Sequence, residues 1–247
     1  SLTPTLEVTN FEGIFNNTHA NTQFQVSIDS GFSNTEVDVF TGANSSLVIS
    51  SSLDFETEHF FRARYFDNNG CCTCFSSPTS FTTVPAPSTL GESIFGGFYM
   101  GTVSAAGSSY YLIMAPNATG CASCIWKNTN DSSGVGTEAF DGYGNTYDHL
   151  DNATHPAGNW TATRTIGGFS DWYLPALCEL GSIYNNKACA PAGEGFFSGS
   201  YWSSREVTGG ASAYIINMGG APNGKSVSPL IKTTNCRIRA VRRVAFP

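Results

Sequence analysis

Four cysteines fall where sulfur chemistry is conceivable. Cys121 and Cys124 form a Cys-x-x-Cys pair, and Cys178 and Cys189 lie in and just after a run of apolar residues at helical spacing. Four thiolates so spaced suit a tetrahedral zinc site. In oxidising surroundings they suit two disulfides, Cys121–Cys124 and Cys178–Cys189, and in a reducing cytoplasm free thiols that pack as small apolar groups. The sequence leaves the three open. Of the four histidines, none sits in a nucleophile or metalloprotease motif. His149 and His155 share "YDHLDNATHP" with Asp148 and Asp151, a metal-ligating set by residue type. Calcium prefers carboxylates and carbonyls, and the EF-hand spacing is absent, so the segment reads as a polar loop or helix end. No catalytic residue, metal or cofactor is expected.

Aromatic rings beside amides offer a different chemistry. Rings meet the apolar face of a sugar and amides meet its hydroxyls. "AGEGFFSGSYW" supplies Phe196, Phe197, Tyr201 and Trp202, and "AYIINMGGAPNGK" supplies Tyr214, Asn217, Asn223 and Lys225. Tyr201 and Trp202 read equally as core packing. Near the end, "CRIRAVRRV" carries Arg237, Arg239, Arg242 and Arg243, with Asp171, Glu179 and Glu206 available as partners. These arginines read as structural ion pairs or solvated charge. The sharper alternative is a site for a sialylated or phosphorylated glycan, since the guanidinium fork fits such groups.

These residues need elements to hold them. The chain has 247 residues, 40 % of them hydrophobic and 13 % charged, enough for one large or two ordinary domains with a true core. Low charge and abundant Gly, Ser, Thr and Asn favour strands, tight turns and polar loops over long helices. A net charge of -7 argues against nucleic acid and anionic membranes as partners. No apolar run is long enough for a transmembrane helix, and the first residues lack signal-peptide character. The six Asn-x-Ser/Thr triplets follow from composition. Residues 1–84 alternate apolar and polar over short runs, at 5–13, 23–29, 35–42, 45–52, 58–67 and 79–84, which predicts a β-sandwich. "VPAPSTLGES" places a linker over 85–93. Beyond it, 95–104 and 108–116 read as a hairpin, a short helix is expected around 145–153, and 201–206, 211–219, 224–229 and 236–244 as strands. Within "GGFSDWYLPALCELGSIY", Trp172 to Leu174 reads as extended. Pro175 suits a helix start, Leu177, Leu180 and Tyr184 recur at helical spacing, and Glu179 falls where the helix dipole favours an anion.

Two resemblances rest on these segments. From "LDFETEHFFRARY" to "SPTSFTT" the chain resembles a fibronectin type III domain. Leu53 and Thr57 match that family's corner, His59 stands where it has Tyr, and Phe24 stands at its early buried Trp. "GGFSDWYLPALCEL", "YWSSRE" and "CRIRAVRRV", in that order, resemble the Lcl C-terminal-type domain of bacterial adhesins and bacteriophage tail proteins. The fold this resemblance implies is C-type-lectin-like. The resemblance implies a mainly β chain, with a fibronectin type III-like sandwich over 1–84 and an α+β C-type-lectin-like domain over 94–247. In that fold Asp171, Trp172, Pro175, Trp202, Glu206, Arg237 and Arg239 are expected to be structural, and Phe196, Phe197, Tyr214, Asn217, Asn223 and Lys225 to meet a ligand.

The function so implied is non-enzymatic. It is that of a virion tail fibre or adhesion component recognising a host-surface glycan or protein. The expected partners are other tail or fibre proteins and further copies of the chain, as a trimer by analogy with fibres. Nucleic acid and membrane insertion are not expected. The alternatives are a purely structural virion protein and a bacterial surface adhesin of the same plan, the latter disfavoured by the missing signal peptide. The same fold hosts formylglycine-generating oxidases, but no local motif of theirs is present.

Overall fold

A computed structural model describes residues 2–9, 11, 18–50, 53–133, 138–196, 198–220 and 225–246. The chain is mainly β and divides into two compact units, residues 1–86 and 87–246.

Among the described residues the first unit holds six strands: β1 (Thr5–Glu7), β2 (His19–Ser27), β3 (Thr35–Phe40), β4 (Ser46–Val48), β5 (Glu58–Asp67) and β6 (Thr79–Thr82). β1 pairs with β4, and the other four form a sheet in the order β3-β2-β5-β6. Alternation explains the core. Phe24 and Val26 of β2 and Ala63 of β5 point inward to meet Leu6, Ile49 and Leu53. The outward residues build a polar ladder. Arg62 and Arg64 donate to Gln25 and Gln23, whose amides donate on to Asp38. Phe32, Phe75 and Phe66 sandwich the two guanidinium groups. His59 is buried, with Nδ1 3.0 Å from the Thr57 carbonyl and Nε2 3.2 Å from Glu36.

In the second unit, β7 (Ser93–Ile94), β8 (Gly97–Ala105) and β9 (Ser108–Met114) form a sheet with β15 (Val241–Ala245), in the order β15-β9-β8-β7. A five-stranded sheet joins β10 (Cys121–Cys124), β11 (Ser200–Glu206), β12 (Ser212–Asn217), β13 (Ser226–Ile231) and β14 (Cys236–Arg239), in the order β10-β14-β11-β12-β13. The helices are short: α1 (Asn117–Gly120), α2 (Gly142–Asn145), α3 (Pro156–Ala162) and α4 (Leu177–Asn186). α4 is a wedge. Ile183 packs with Met100, Leu112 and Val241 of one sheet, while Leu180 and Tyr184 pack with Tyr201, Ile216 and Met218 of the other.

Four expectations are corrected. The last ribbon is not one strand. It changes sheets at Ala240, which is fully buried, accepts from Ala115 N and donates to Gly120 O. Gly120 permits this crossing, because a Cβ there would stand 2.1 Å from that of Ala115. Pro175 lies outside α4, whose N-cap is Ala176; its carbonyl instead accepts from Ser204 N of β11. The helix expected near 145–153 is α2 widening into a π-type turn over 146–150. α3 follows, with Pro156 as its first residue, where the missing N–H costs nothing. The segment read as a linker belongs from Pro87 to the second unit, where Gly91 N donates to Tyr99 O.

Candidate functional site

Three indoles and a chain of ion pairs fix the frame around α4. Trp172 is fully buried and donates to the carbonyls of Phe169 and Ile166 at 2.9 and 3.2 Å. Trp202 donates to Cys124 O at 3.1 Å and Trp126 to Ser203 O at 2.8 Å. Each ring therefore buries a large apolar surface without stranding its N–H. Beside Trp172, Tyr173 and Val241 exchange backbone hydrogen bonds of 2.8 and 3.0 Å, tying the segment before α4 to β15.

Most arginines of the last ribbon are committed to this frame. Arg242 grips Asp171 through two bonds of 2.7 and 2.9 Å. Arg243 reaches Asp141 at 2.8 Å. Arg239 is fully buried and donates to the carbonyls of Ala115 and Glu194 and to Asn117. Arg237 donates to Ser198 O. Glu206 holds no arginine; it pairs with the buried Lys232, and together with Lys127 they pin the 126–133 segment. Glu179 accepts from Tyr173 Oη at 2.8 Å and from Ala176 N at 2.7 Å. Burial pushes its carboxyl up to about 7, against the pull of those two bonds and of Arg243.

Two cations are left over on the outer face of α4. Arg205 of β11 has no carboxylate partner among the described residues, and its Nε is buried without an acceptor. Its guanidinium lies 5.2 Å from the Tyr214 ring centroid. The exposed Lys225 crosses the same helix, its Nζ 3.1 Å from where a Cβ on Gly181 would stand. Both cations act on the exposed Cys178, one helical turn before Gly181; burial nonetheless leaves that thiol raised. Arg205, against the Tyr214 ring, and Lys225, over Gly181 and near Ile216, thus bring two cations without a carboxylate partner among the described residues to Cys178 of α4. That arrangement suits an anionic group carried on an apolar body.

The expected ligand residues do not all converge there. Tyr214 lies against Arg205, and Lys225 lies over Gly181 of α4. Asn217 is exposed, but its side chain caps the following turn by accepting from Gly219 N. Phe196 is half-buried, edge-on to Tyr201 at 4.8 Å and facing Arg239, so it packs rather than presents. Phe197 and Asn223 lie outside the described residues. Arg205 was missed because "YWSSRE" gives no hint that one of its charges lacks a partner.

Of the three sulfur alternatives, the zinc site and the two disulfides fail on geometry, and free thiols remain. All eight cysteines are free thiols. Cys121 and Cys124 stand three residues apart in β10, hence on opposite faces and roughly 10 Å apart. Cys178 opens α4 and Cys189 follows its far end, roughly 15 Å of helix away. Neither pair is within bridging distance. Among the described residues no group of three or more His, Cys, Asp or Glu could hold a metal ion.

One arrangement has the outline of a catalytic triad. Ser133 Oγ is 2.9 Å from His155 Nε2, and His155 Nδ1 is 3.0 Å from Asn152 Oδ1. Burial, together with Lys127 and Lys232, pushes His155 down to about 4. So weak a base gains little driving force for taking a serine proton. The cluster instead anchors the loop, with Ser133 N donating to Glu206.

No family model matches the chain, and no curated protein matches it. Among solved structures, part of it is similar to an alpha-L-rhamnosidase from Dictyoglumus thermophilum. The identity is 14% and the TM-score 0.31, over 53% of this chain and 16% of that one. A likeness of that size carries no argument.

Proposed function

We propose that the chain is a non-enzymatic recognition protein of the tail-fibre or adhesin kind, which binds an anionic host-surface glycan through Arg205, Tyr214 and Lys225. The first unit is then a fibronectin type III-like spacer and the second a C-type-lectin-like domain. The carrying observation is a pair of cations that hold no carboxylate among the described residues, Arg205 against the Tyr214 ring and Lys225 over Gly181, both acting on Cys178, in a chain whose last-ribbon arginines are engaged. A net charge of -7 makes such a patch a local exception that an anion would find by charge and hold by fit. This puts the anion site on the outer face of α4 and not on the last ribbon, where the sequence offered one only as the alternative to structural ion pairs.

The test is a glycan array probed with the full chain and with Arg205→Ala and Lys225→Ala. Sialylated, sulfated or phosphorylated glycans should bind and neutral ones should not. Each substitution should weaken binding about tenfold or more, the usual worth of a charged hydrogen bond. Added salt should weaken it further. Binding that ignores both substitutions, or no binding to any anionic glycan, contradicts the proposal.

A further inference from the structure

Cys124 and Cys236 are Cα partners in the antiparallel pairing of β10 with β14. Residues directly opposite in such a pair project to the same face, with Cα atoms about 4.5–5.5 Å apart. A disulfide spans Cα separations of about 4.4–6.8 Å. Of the eight cysteines, five are exposed, while Cys124 is half-buried and Cys236 buried. Cys121, the other cysteine of β10, faces Arg239 instead. Cys236 also lines an open depression of about 410 Å³, with Ser123, Ser200, Asn235 and Arg237, so a small reagent can reach it from solvent.

We propose that Cys124 and Cys236 close a cross-strand disulfide when the protein meets a disulfide oxidant such as oxidised glutathione. One protein thiolate attacks a glutathione sulfur, forming a mixed disulfide and releasing one glutathione thiolate. The second protein thiolate attacks the protein sulfur of that mixed disulfide and releases the other. The two protein sulfurs are oxidised by two electrons, one disulfide of glutathione is reduced to two thiols, and the two protein protons pass to them. Burial holds both thiols up to about 11, with the two sulfurs acting on each other at Cys124. Thiolate is therefore scarce at neutral pH, and closure is slow, which keeps the pair reduced during synthesis in a reducing cytoplasm. The bond would join β10, at the edge of its sheet, to β14 and fix one wall of the depression.

The experiment equilibrates the full chain with excess oxidised glutathione, blocks remaining thiols, digests without reduction and maps the peptides by mass spectrometry. The expected product is a linked peptide pair carrying Cys124 and Cys236, two hydrogens lighter than its reduced parts. Oxidation should raise Tm by about 5–10 °C in the natural chain and leave Tm of Cys124→Ser unchanged. Recovery of both cysteines blocked, linked elsewhere, or stopped as mixed disulfides with glutathione overturns the proposal. The peptide map decides even if Cys124→Ser does not fold.

Discussion

At Glu179 a carboxyl that opens a helix is also sealed inside the protein. It is 1 % exposed, and the groups that reach it are Tyr173, Ala176 N, Arg243 and Asp141. Its folded pKa of about 7 lies above the ordinary value of 4.5. The native state therefore holds this proton more tightly than the unfolded chain, and the contribution to stability is full below pH 4.5 and lost as pH rises through 7. His155 has the opposite sign. Its folded pKa of about 4 lies below 6.5, so its contribution is present above pH 6.5 and lost as pH falls through 4. In Glu179→Gln only the first effect disappears. The Tm of the variant minus that of the natural chain should rise from pH 4.5 to 7 and then level off. A difference that stays constant across that window would show that Glu179 does not titrate as its burial demands. That the ribbon's arginines would form ion pairs, with Asp171 among their partners, was legible in the sequence; which arginine meets which carboxylate was not. Arg242 and Asp171 are 71 residues apart and Arg243 and Asp141 are 102 apart. The sequence showed an arginine-dense ribbon read as structural pairs, with an anion site there only as the alternative, and carried no sign that Arg205 would be the one without a carboxylate.

Strands were the legible elements because period-two alternation is local. β2, β3, β5, β8, β9, β11 and β12 fall where alternation puts them. α4 was legible for the same reason at helical period, and the indole at its entrance for its size. What failed depended on distant contacts. Pro175 looked like a first helical residue, but the backbone of Ser204 claims its carbonyl and delays the helix. The final ribbon alternates without a break, yet packing of Gly120 against Ala115 divides it between two sheets. α3 had a local signal in His155-Pro156, hidden within a polar stretch. At this scale Gly181 gives a sharp test. It lies within α4 and needs no unusual backbone, so Gly181→Ala should gain about 1 kcal/mol of helix propensity. The new methyl meets Ile216 at an ordinary 3.9 Å but stands 3.1 Å from the flexible end of Lys225. Gly181→Ala should therefore raise Tm while weakening binding of an anionic glycan several-fold. A variant that is more stable and binds unchanged would remove Lys225 from the site.

Across the whole molecule, the mainly β character follows from composition, and the chain divides into two units at residues 86 and 87. Within the second unit, α4 separates the two sheets, and the two unpaired cations gather on its outer face. The most direct test is a heteronuclear NMR titration of the full chain with a sialylated oligosaccharide. Saturable shifts should centre on Tyr214, the Arg205 Nε–H and the amides of Cys178 to Ser182, and should fade as salt is raised. Shifts that centre instead on Arg237 and Asn235, or no saturable shifts with any anionic sugar, would contradict the account.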